Sequence, residues 1–315
     1  TLDSLRLMMP ERAMWPQGDM WGIHDFSLEG AQGGRSFLQR IEKSYGGADN
    51  VADWVALAQF VNYEGYRAMF EAQSKNRMGL LIWMSHPAWP SFVWQTYDYY
   101  FEPTAGYFGV KKASEPLHIQ WNQATDNIEV VNYNAGEARG LSAQVQILNL
   151  DGALQWEKTA ALDSPEDSML APIHMEYPST LSAVHFLRLR LAREGKLVSE
   201  NFYWRGTEEG NYRALRELPK VKLEAATRVE RHGSHWLMST ELRNVSQSPA
   251  LMVRLKAVRD KSGDRILPAI YSDNYVALMP GERRTIVTQV EHSDTRGETP
   301  RVVIEGFNTG EVAKP

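Results

Sequence analysis

The sequence predicts a mixed fold in which an α/β segment precedes two antiparallel β-sandwiches. Three observations lead to this prediction. Seven of the ten tryptophans lie within the first 121 residues, so that region is built differently from the rest. After about residue 115 the apolar period changes from helical spacing to alternation. Tight-turn dipeptides then recur between the alternating segments, at the spacing expected of sandwich strands.

The first region contains one strong helix signal and one strand signal. Between Asn50 and about Lys75, apolar side chains recur every three or four residues, which predicts a long helix. The apolar run at 80–84 follows, bounded by a loop, and predicts a fully buried strand. The segment 104–116 predicts a short final helix. Residues 1–115 therefore have the pattern of a piece of α/β barrel or sheet.

Alternating apolar and polar residues predict half-buried strands through residues 116–210 and again through 211–315. A polar segment rich in Arg and Glu separates the two sets near 206–220. The apolar positions that define three of these strands are Ala143, Val145 and Ile147; Leu187, Leu189 and Leu191; and Leu251, Val253, Leu255 and Ala257. The dipeptides predicted to turn the chain are Asp151-Gly152, Glu194-Gly195, Ser262-Gly263 and Pro280-Gly281.

The composition excludes several classes of protein. The 315 residues include no cysteine, which excludes a disulfide scaffold, a thiolate zinc site and a cysteine nucleophile. A formal charge of −5, without a block of like charge, gives no field suited to nucleic acid. No run of 18 apolar residues occurs, so we expect no membrane partner. Residue 1 is Thr rather than Met, and a targeting signal could precede it.

Familiar local motifs for nucleotides, zinc peptidases and serine hydrolases do not occur in the sequence. His232 and His235 could share a metal, but their place at a predicted hairpin tip favours a solvated turn. We therefore predict neither a metal site nor a cofactor.

The remaining candidates for chemistry are aromatic. Trp21 and His24 lie in one short segment, and Trp83, Trp89 and Trp94 lie in another. Indole faces beside polar groups suit a sugar, whose C–H face packs on a ring while its hydroxyls form hydrogen bonds. The alternative is that these rings fill a core. Trp83 is the strongest candidate, because α/β folds place their sites at the carboxyl ends of strands.

Several long runs resemble the C-terminal part of glycoside hydrolase family 2, within its exo-β-D-glucosaminidase and β-mannosidase-like branch. They are MPERAMWPQGDMWGIHDF, NYEGYRAMFEA, GLLIWMSHPAWPSFVWQTYDYYFEPTAGYFGVKKASEPLHIQW and ILPAIYSDNYVALMPGE. The resemblance covers nearly the whole chain. It implies a C-terminal piece of a (β/α)8 TIM barrel at 1–115, followed by two immunoglobulin-like antiparallel β-sandwiches at 116–210 and 211–315.

The resemblance also implies a retaining enzyme with two catalytic carboxylates about 5–5.5 Å apart. In the family, the nucleophile lies shortly before the segment that matches Thr1–Leu5. A complete barrel needs at least about 200 residues, so 115 residues cannot hold one. We therefore assign no catalytic residue to this chain and expect a missing N-terminal part of the same polypeptide as its partner. The expected substrate is a β-linked oligosaccharide or polysaccharide of the glucosamine or mannose type.

For the candidate residues, the resemblance implies that Trp83 lies under the sugar in the innermost subsite. Trp89 and Trp94 would wall the pocket, and Trp21 and His24 would lie in the loop after the seventh barrel strand. By analogy, the whole protein is expected to be periplasmic or secreted, with its signal upstream of residue 1.

Two other hypotheses remain open. The chain could be a non-catalytic carbohydrate-binding or scaffolding protein built from the two sandwiches. The sandwiches could also be packing supports for the barrel, with Arg188 and Arg254 at the surface. The acids of the first region are expected to be solvated or structural, with Glu64 and Glu71 on the outward face of their helix, although Asp25 and Asp98 lie in loops from which they could contact substrate. Exposed apolar surface is expected along Val61, Met69 and Leu81.

Overall fold

The structure is a computed structural model that describes residues 1–29, 33–72, 74, 79–93 and 95–313. Its helices lie in the first region, and its strands follow. The helices are α1 (Leu2–Met8), α2 (Asp19–Ile23), α3 (Gly34–Tyr45), α4 (Val51–Ala72) and α5 (Ala105–Ala113). Among the described residues, none of these helices combines the length and apolar character needed to span a bilayer.

The predicted long helix is confirmed as α4. The Asn50 side-chain oxygen caps its first turn by accepting a hydrogen bond from the Asp53 N–H at 3.0 Å. One face of α4 is buried through Trp54, Leu57 and Val61. The predicted short helix is also confirmed, as α5. By contrast, α1 and α3 were not predicted. The sequence of α3 is mostly polar, and this helix buries only Gly34, Ile41 and Tyr45.

The predicted buried strand at 80–84 is wrong for this chain. No strand pairs with this segment among the described residues, and Leu81 and Trp83 are 99% and 81% exposed. A parallel strand is held by hydrogen bonds to neighbours in its sheet and is covered on both faces. The described part of the chain supplies neither at 80–84. The barrel piece is therefore not evident, and the structure is mainly β-sheet with a few helices.

The first set of strands forms two sheets, ordered β1-β2-β5 and β4-β3-β6-β7. Their inward side chains share one core, so the sheets form a sandwich. The predicted alternation is confirmed in β3 and β6. The strands are β1 (Leu117–Asn122), β2 (Asn127–Asn132), β3 (Ala138–Asn149), β4 (Leu154–Ser164), β5 (Ser168–His174), β6 (Val184–Arg193) and β7 (Lys196–Gly206).

After a short 3-10 turn at Arg213–Glu217, the second set forms sheets ordered β11-β13-β9-β8-β15 and β12-β10-β14. The pairing is antiparallel except that β15 runs parallel to β8. The strands are β8 (Val221–His232), β9 (His235–Asn244), β10 (Ala250–Arg259), β11 (Ala269–Tyr271), β12 (Val276–Leu278), β13 (Arg283–Glu291), β14 (Pro300–Glu305) and β15 (Thr309–Ala313). Each of the four predicted turn dipeptides lies between two consecutive strands.

A buried polar network joins α4 to the first sandwich. Arg67 donates to the Asn201 side chain at 2.9 Å and lies over the Tyr203 ring at 3.9 Å. Glu71 accepts hydrogen bonds from Asn201 at 2.7 Å and from the Tyr203 hydroxyl at 3.0 Å. The expectation that the acids of this helix face outward is therefore wrong for Glu71, which is buried because its partners come from β7. Glu64 is half-buried for a similar reason, since it pairs with Arg205.

Two arginines expected at the surface also lie in interfaces. Arg188 pairs with Glu282 of the second sandwich, and neither side chain is exposed. Arg254 pairs with Glu102 at 3.5 Å and with Glu305 at 3.0 Å. Alternation alone cannot distinguish a solvated strand face from one that meets another layer. The helical region and the two sandwiches are thus connected by ion pairs at each junction described here.

Candidate functional site

The loop that begins at residue 81 contains several exposed aromatic side chains. Trp83 is 81% exposed and Trp89 is 44% exposed. Tyr99 and Phe101 expose 40% and 50% of their surfaces farther along the same loop. Patches of exposed apolar side chains mark binding or interaction surfaces. We call this set, with Leu81, the aromatic surface.

The loop is held by its own hydrogen bonds. The Ser85 carbonyl accepts from the Thr96 N–H at 2.9 Å, which joins the two ends of the segment that contains Trp89. Asp98 accepts from the backbone N–H groups of Tyr100 and Glu102, each at 3.0 Å. These contacts give a long aromatic loop a defined conformation.

The imidazole of His86 stacks on three other rings of this loop, of which those of Tyr97 and Phe101 are nearest. Its centroid lies 5.1 Å from that of Tyr97 and 4.9 Å from that of Phe101, with interplanar angles of 23° and 17°. The only sequence signal for His86, Tyr97 and Phe101 is the aromatic density of the segment.

Trp21 lies in the core rather than on the aromatic surface. It is fully buried, its indole N–H donates to the Ala13 carbonyl at 3.1 Å, and its ring stacks on Phe92 at 4.5 Å. Trp54 and Phe26 close its edges. A saccharide therefore does not reach this indole in the chain described, and any contribution of Trp21 to binding is indirect.

His24 connects the α2 segment to the loop of Trp89. Its Nδ1 lies 2.8 Å from the Pro90 carbonyl oxygen, and its own carbonyl accepts from the Phe92 N–H at 3.0 Å. The structure thus brings Trp21 and His24 together with Phe92, which the sequence analysis did not single out. Trp94, the remaining candidate, lies outside the described residues.

The two buried acids nearest in sequence to the aromatic surface differ in their contacts. Glu102 forms ion pairs with Arg265 and Arg254, which give it a structural role. Asp98 caps the backbone turn described above through Oδ1, whereas its buried Oδ2 has no hydrogen-bond partner among the described residues.

His232 and His235 lie at the tip of the β8–β9 hairpin, as predicted. His232 is exposed, and His235 lies 2.8 Å from Glu291. Among the residues that the structure describes, no group of three or more His, Asp or Glu side chains is arranged to hold a metal ion.

Comparison with known proteins gives the context of this surface. Residues 201–309 match the family model described as the exo-beta-D-glucosaminidase Ig-fold domain. The whole chain is 31% identical to the exo-beta-D-glucosaminidase of Amycolatopsis orientalis, over 34% of that protein. The chain is a relative of the exo-β-D-glucosaminidase and β-mannosidase-like branch of glycoside hydrolase family 2. The predicted resemblance to the C-terminal part of these enzymes is confirmed.

Solved structures agree with this family 2 relationship. The crystal structure of the Amycolatopsis orientalis exo-chitosanase matches 98% of the chain with a TM-score of 0.88 and 28% identity, over 40% of its own length. A beta-D-mannosidase from Dictyoglomus thermophilum shares the fold at a TM-score of 0.75 and 19% identity. The mannosylglycoprotein endo-beta-mannosidase of Lilium longiflorum is 28% identical over 85% of the chain. The chain spans about a third of the length of these curated relatives, between 32% and 39%.

Proposed function

We propose that this chain is the C-terminal portion of a retaining β-glycosidase that hydrolyses terminal β-linked glucosamine or mannose. In this proposal it supplies an aromatic wall of the sugar site, whereas both catalytic carboxylates belong to a preceding, missing part of the polypeptide. The exposure of Trp83 and Trp89 carries the proposal, because it occurs in a chain that is similar along its length to exo-β-D-glucosaminidases.

The same proposal accounts for the segment at 80–84. Its apolar side chains stand in solvent here, and Leu81 is almost completely exposed. We propose that this segment becomes the last strand of a (β/α)8 barrel when neighbouring strands from the missing part pair with it. The proposed domain limits are 1–115 for the barrel piece, 116–210 for the first sandwich and 211–315 for the second.

An indole such as that of Trp83 can define a sugar subsite. Covering about 100 Å² of its face is worth about 2.5 kcal/mol before the costs of binding are subtracted. Trp89 and Trp94 would form the adjoining wall. Trp21 and His24 would act through Phe92 and Pro90, by fixing the loop that carries Trp89.

An assay for hydrolysis of an aryl β-D-glucosaminide by the purified 315-residue chain tests whether the catalytic carboxylates lie outside this chain. We expect no turnover, because in this proposal both catalytic carboxylates lie in the preceding part of the polypeptide. Turnover that disappears when one of the chain's own acids is changed to its amide would contradict the proposal.

A second candidate function is carbohydrate binding without catalysis, and the open Trp83 indole favours it. Trp83→Ala should then weaken the binding of a glucosamine oligomer to the chain. The matched control is Trp156→Ala on β4 of the first sandwich, outside the aromatic surface. This candidate replaces the first only if the natural full-length polypeptide also binds the sugar without hydrolysing it.

We further propose that the whole protein is periplasmic or secreted, in keeping with a polymeric sugar substrate. Cell fractionation followed by immunodetection tests this proposal. Detection confined to the cytoplasm would overturn it.

A further inference from the structure

A polar cleft runs along the first sandwich, away from the aromatic surface. Two cavities of about 570 Å³ and 500 Å³ adjoin there and share Trp121, Gln123, Arg205 and Glu209 in their walls. One cavity extends under α4 to Glu64, and the other extends outward to Tyr177. Neither cavity has a lining residue from the described part of the loop at 81–101. We call the joined space the sandwich cleft.

The charge of the sandwich cleft favours a cationic ligand. Its walls contain five carboxylates and three arginines, which are Glu64, Glu71, Asp126, Glu129 and Glu209 against Arg40, Arg67 and Arg205. Both hydrogen bonds made to Glu64, from Arg205 and Tyr212, reach Oε1, so its Oε2 is available to a ligand. Burial raises the pKa of Glu64, and the charge of Arg205 offsets part of this effect.

One buried polar side chain in the cleft is not fully satisfied. His185 is only 3% exposed, and the Ser182 backbone can satisfy one of its ring nitrogens, which leaves the other without a hydrogen-bond partner among the described residues. The indole N–H of Trp121, which is 8% exposed, faces the Tyr177 hydroxyl. Buried donors and acceptors in proteins are nearly always satisfied, so the remaining His185 nitrogen points to a bound polar group.

The cleft also contains a rigid aromatic platform. Tyr177 exposes 42% of its surface, while its hydroxyl donates to Asp126 Oδ1 at 2.9 Å. Its ring meets His185 edge to face at 6.3 Å. Arg205 is fixed in turn, because it lies 4.5 Å from the centroid of Trp121 and donates to Glu64 at 3.2 Å. A ring beside carboxylates and an unsatisfied histidine nitrogen can pack on a sugar face and also bind an amine.

We propose that the sandwich cleft is an ancillary binding site for a β-linked amino-sugar oligosaccharide. One sugar packs on Tyr177, and its ammonium group lies between Asp126 and Glu209. A neighbouring sugar enters the inner cavity toward Glu64, where His185 provides a polar partner along the path. The choice of an amino sugar rests on the proposed function, whereas the site itself rests on the cleft.

The test is a titration of the 315-residue chain with a β-linked glucosamine trimer. Binding is monitored through the NMR signals of ¹⁵N-labelled tryptophan indole groups. The Trp121 indole signal should shift with saturation. Asp126→Asn combined with Glu209→Gln should raise the Kd about tenfold, as expected for losing hydrogen bonds to charged groups. Asn tolerates the positive φ of 53° at position 126, so this variant keeps the turn.

The matched control is Glu157→Gln on β4, which removes one carboxylate from the same sandwich outside the cleft. It should leave the Trp121 shift unchanged, as should Trp83→Ala. An unmoved Trp121 signal at millimolar trimer would overturn the proposal. Equal binding of an N-acetylated trimer, or of spermidine, would also overturn it, because either result removes the combined recognition of sugar and amine.

This experiment separates failure of the cleft from failure of the proposed function. Hydrolysis by the natural full-length polypeptide reports on the catalytic site whatever happens at Trp121. If the trimer shifts the Trp121 indole signal but not the Trp83 indole signal, the binding site in the sandwich cleft is supported independently of the proposed function.

Discussion

At the scale of single residues, His118 is the most constrained ionisable group in the junction between α4 and the first sandwich. It is fully buried, with Nδ1 3.1 Å from Glu115 and Nε2 3.3 Å from Glu71. Both ring nitrogens face carboxylate oxygens, so both must donate, which requires the imidazolium form. Burial alone would lower the pKa of His118, but its hydrogen bonds to the two carboxylates outweigh burial and raise it.

We predict that His118→Gln removes stability in a manner that depends on pH. A raised pKa in the folded state contributes stability that is fully present below the unfolded pKa, about 6.5, and is lost as pH rises through the folded pKa. The difference in unfolding free energy between wild type and variant should therefore shrink as pH rises above about 6.5 and through the raised folded pKa. Arg67 and Lys112, which lie behind the carboxylates, keep their charge across this range.

Urea unfolding at several pH values measures this difference. His174→Gln is the matched control, since His174 is exposed and contacts only Asn127 in the described hydrogen bonds. A difference that grows with rising pH would show that His118 is neutral in the folded chain.

At the scale of elements, α4 and α5 pack so closely that a single methyl group matters. A Cβ at Gly109 would lie 2.5 Å from the Tyr63 carbonyl oxygen, which is backbone and cannot move aside alone. The sequence predicts both helices but not this approach, because spacing defines a helical face and not its distance from a neighbour.

Gly109→Ala should lower the unfolding free energy by about 1–3 kcal/mol, the usual cost of overpacking. Gly65→Ala is the matched control, because an added Cβ at position 65 of α4 meets nothing within 4 Å. That variant should gain about 0.5–1 kcal/mol from better helix propensity. Thermal unfolding of the two variants checks the pair, and equal effects would contradict the packing described.

The same scale explains what the sequence could predict. The alternation of Leu187, Leu189 and Leu191 was decisive because β6 buries one face and has antiparallel neighbours on both sides. The apolar run at 80–84 has the composition of a buried strand but lacks neighbours in the described chain. Local composition reports the preference of a segment, whereas strand formation depends on partners that can be distant in sequence or on another stretch of chain.

Only part of the candidate site could be predicted from the sequence. The exposure of Trp83 and Trp89 agrees with a role in binding, because both rings are accessible. Trp21 belongs to the same aromatic set in the sequence, yet it forms the core under Phe92. Residue type cannot distinguish these environments. The sandwich cleft was not predictable either, because residues as far apart as Glu64 and Arg205 form it.

At the scale of the whole molecule, the exposed apolar surface is narrower than expected. Leu81 and Met69 are exposed as predicted, but Val61 is buried in the core, so its predicted exposure is wrong. Exposed large apolar side chains also occur elsewhere, such as Ile23 and Ile270, but the loop at 81–101 contains several of them within a short stretch of chain. Surfaces of this kind associate with a partner or with one another.

We predict that the isolated chain self-associates through this segment. Sedimentation velocity should show a weight-average mass above 35.8 kDa that rises with concentration. Leu81→Glu should reduce it, since it places a charge in the centre of the contact. Leu154→Glu is the control, because Leu154 is also exposed but lies on β4 of the first sandwich. A monomer at every concentration would contradict this prediction.

The central claim is that this chain is part of a retaining β-glycosidase. The most direct test is to purify the natural polypeptide that contains this sequence and follow its hydrolysis of an aryl β-D-glucosaminide by proton NMR. We expect turnover whose first-formed product is the β anomer, the outcome of a double displacement. No turnover of this glycoside or of the matching mannoside, or release of the α anomer first, would contradict the account.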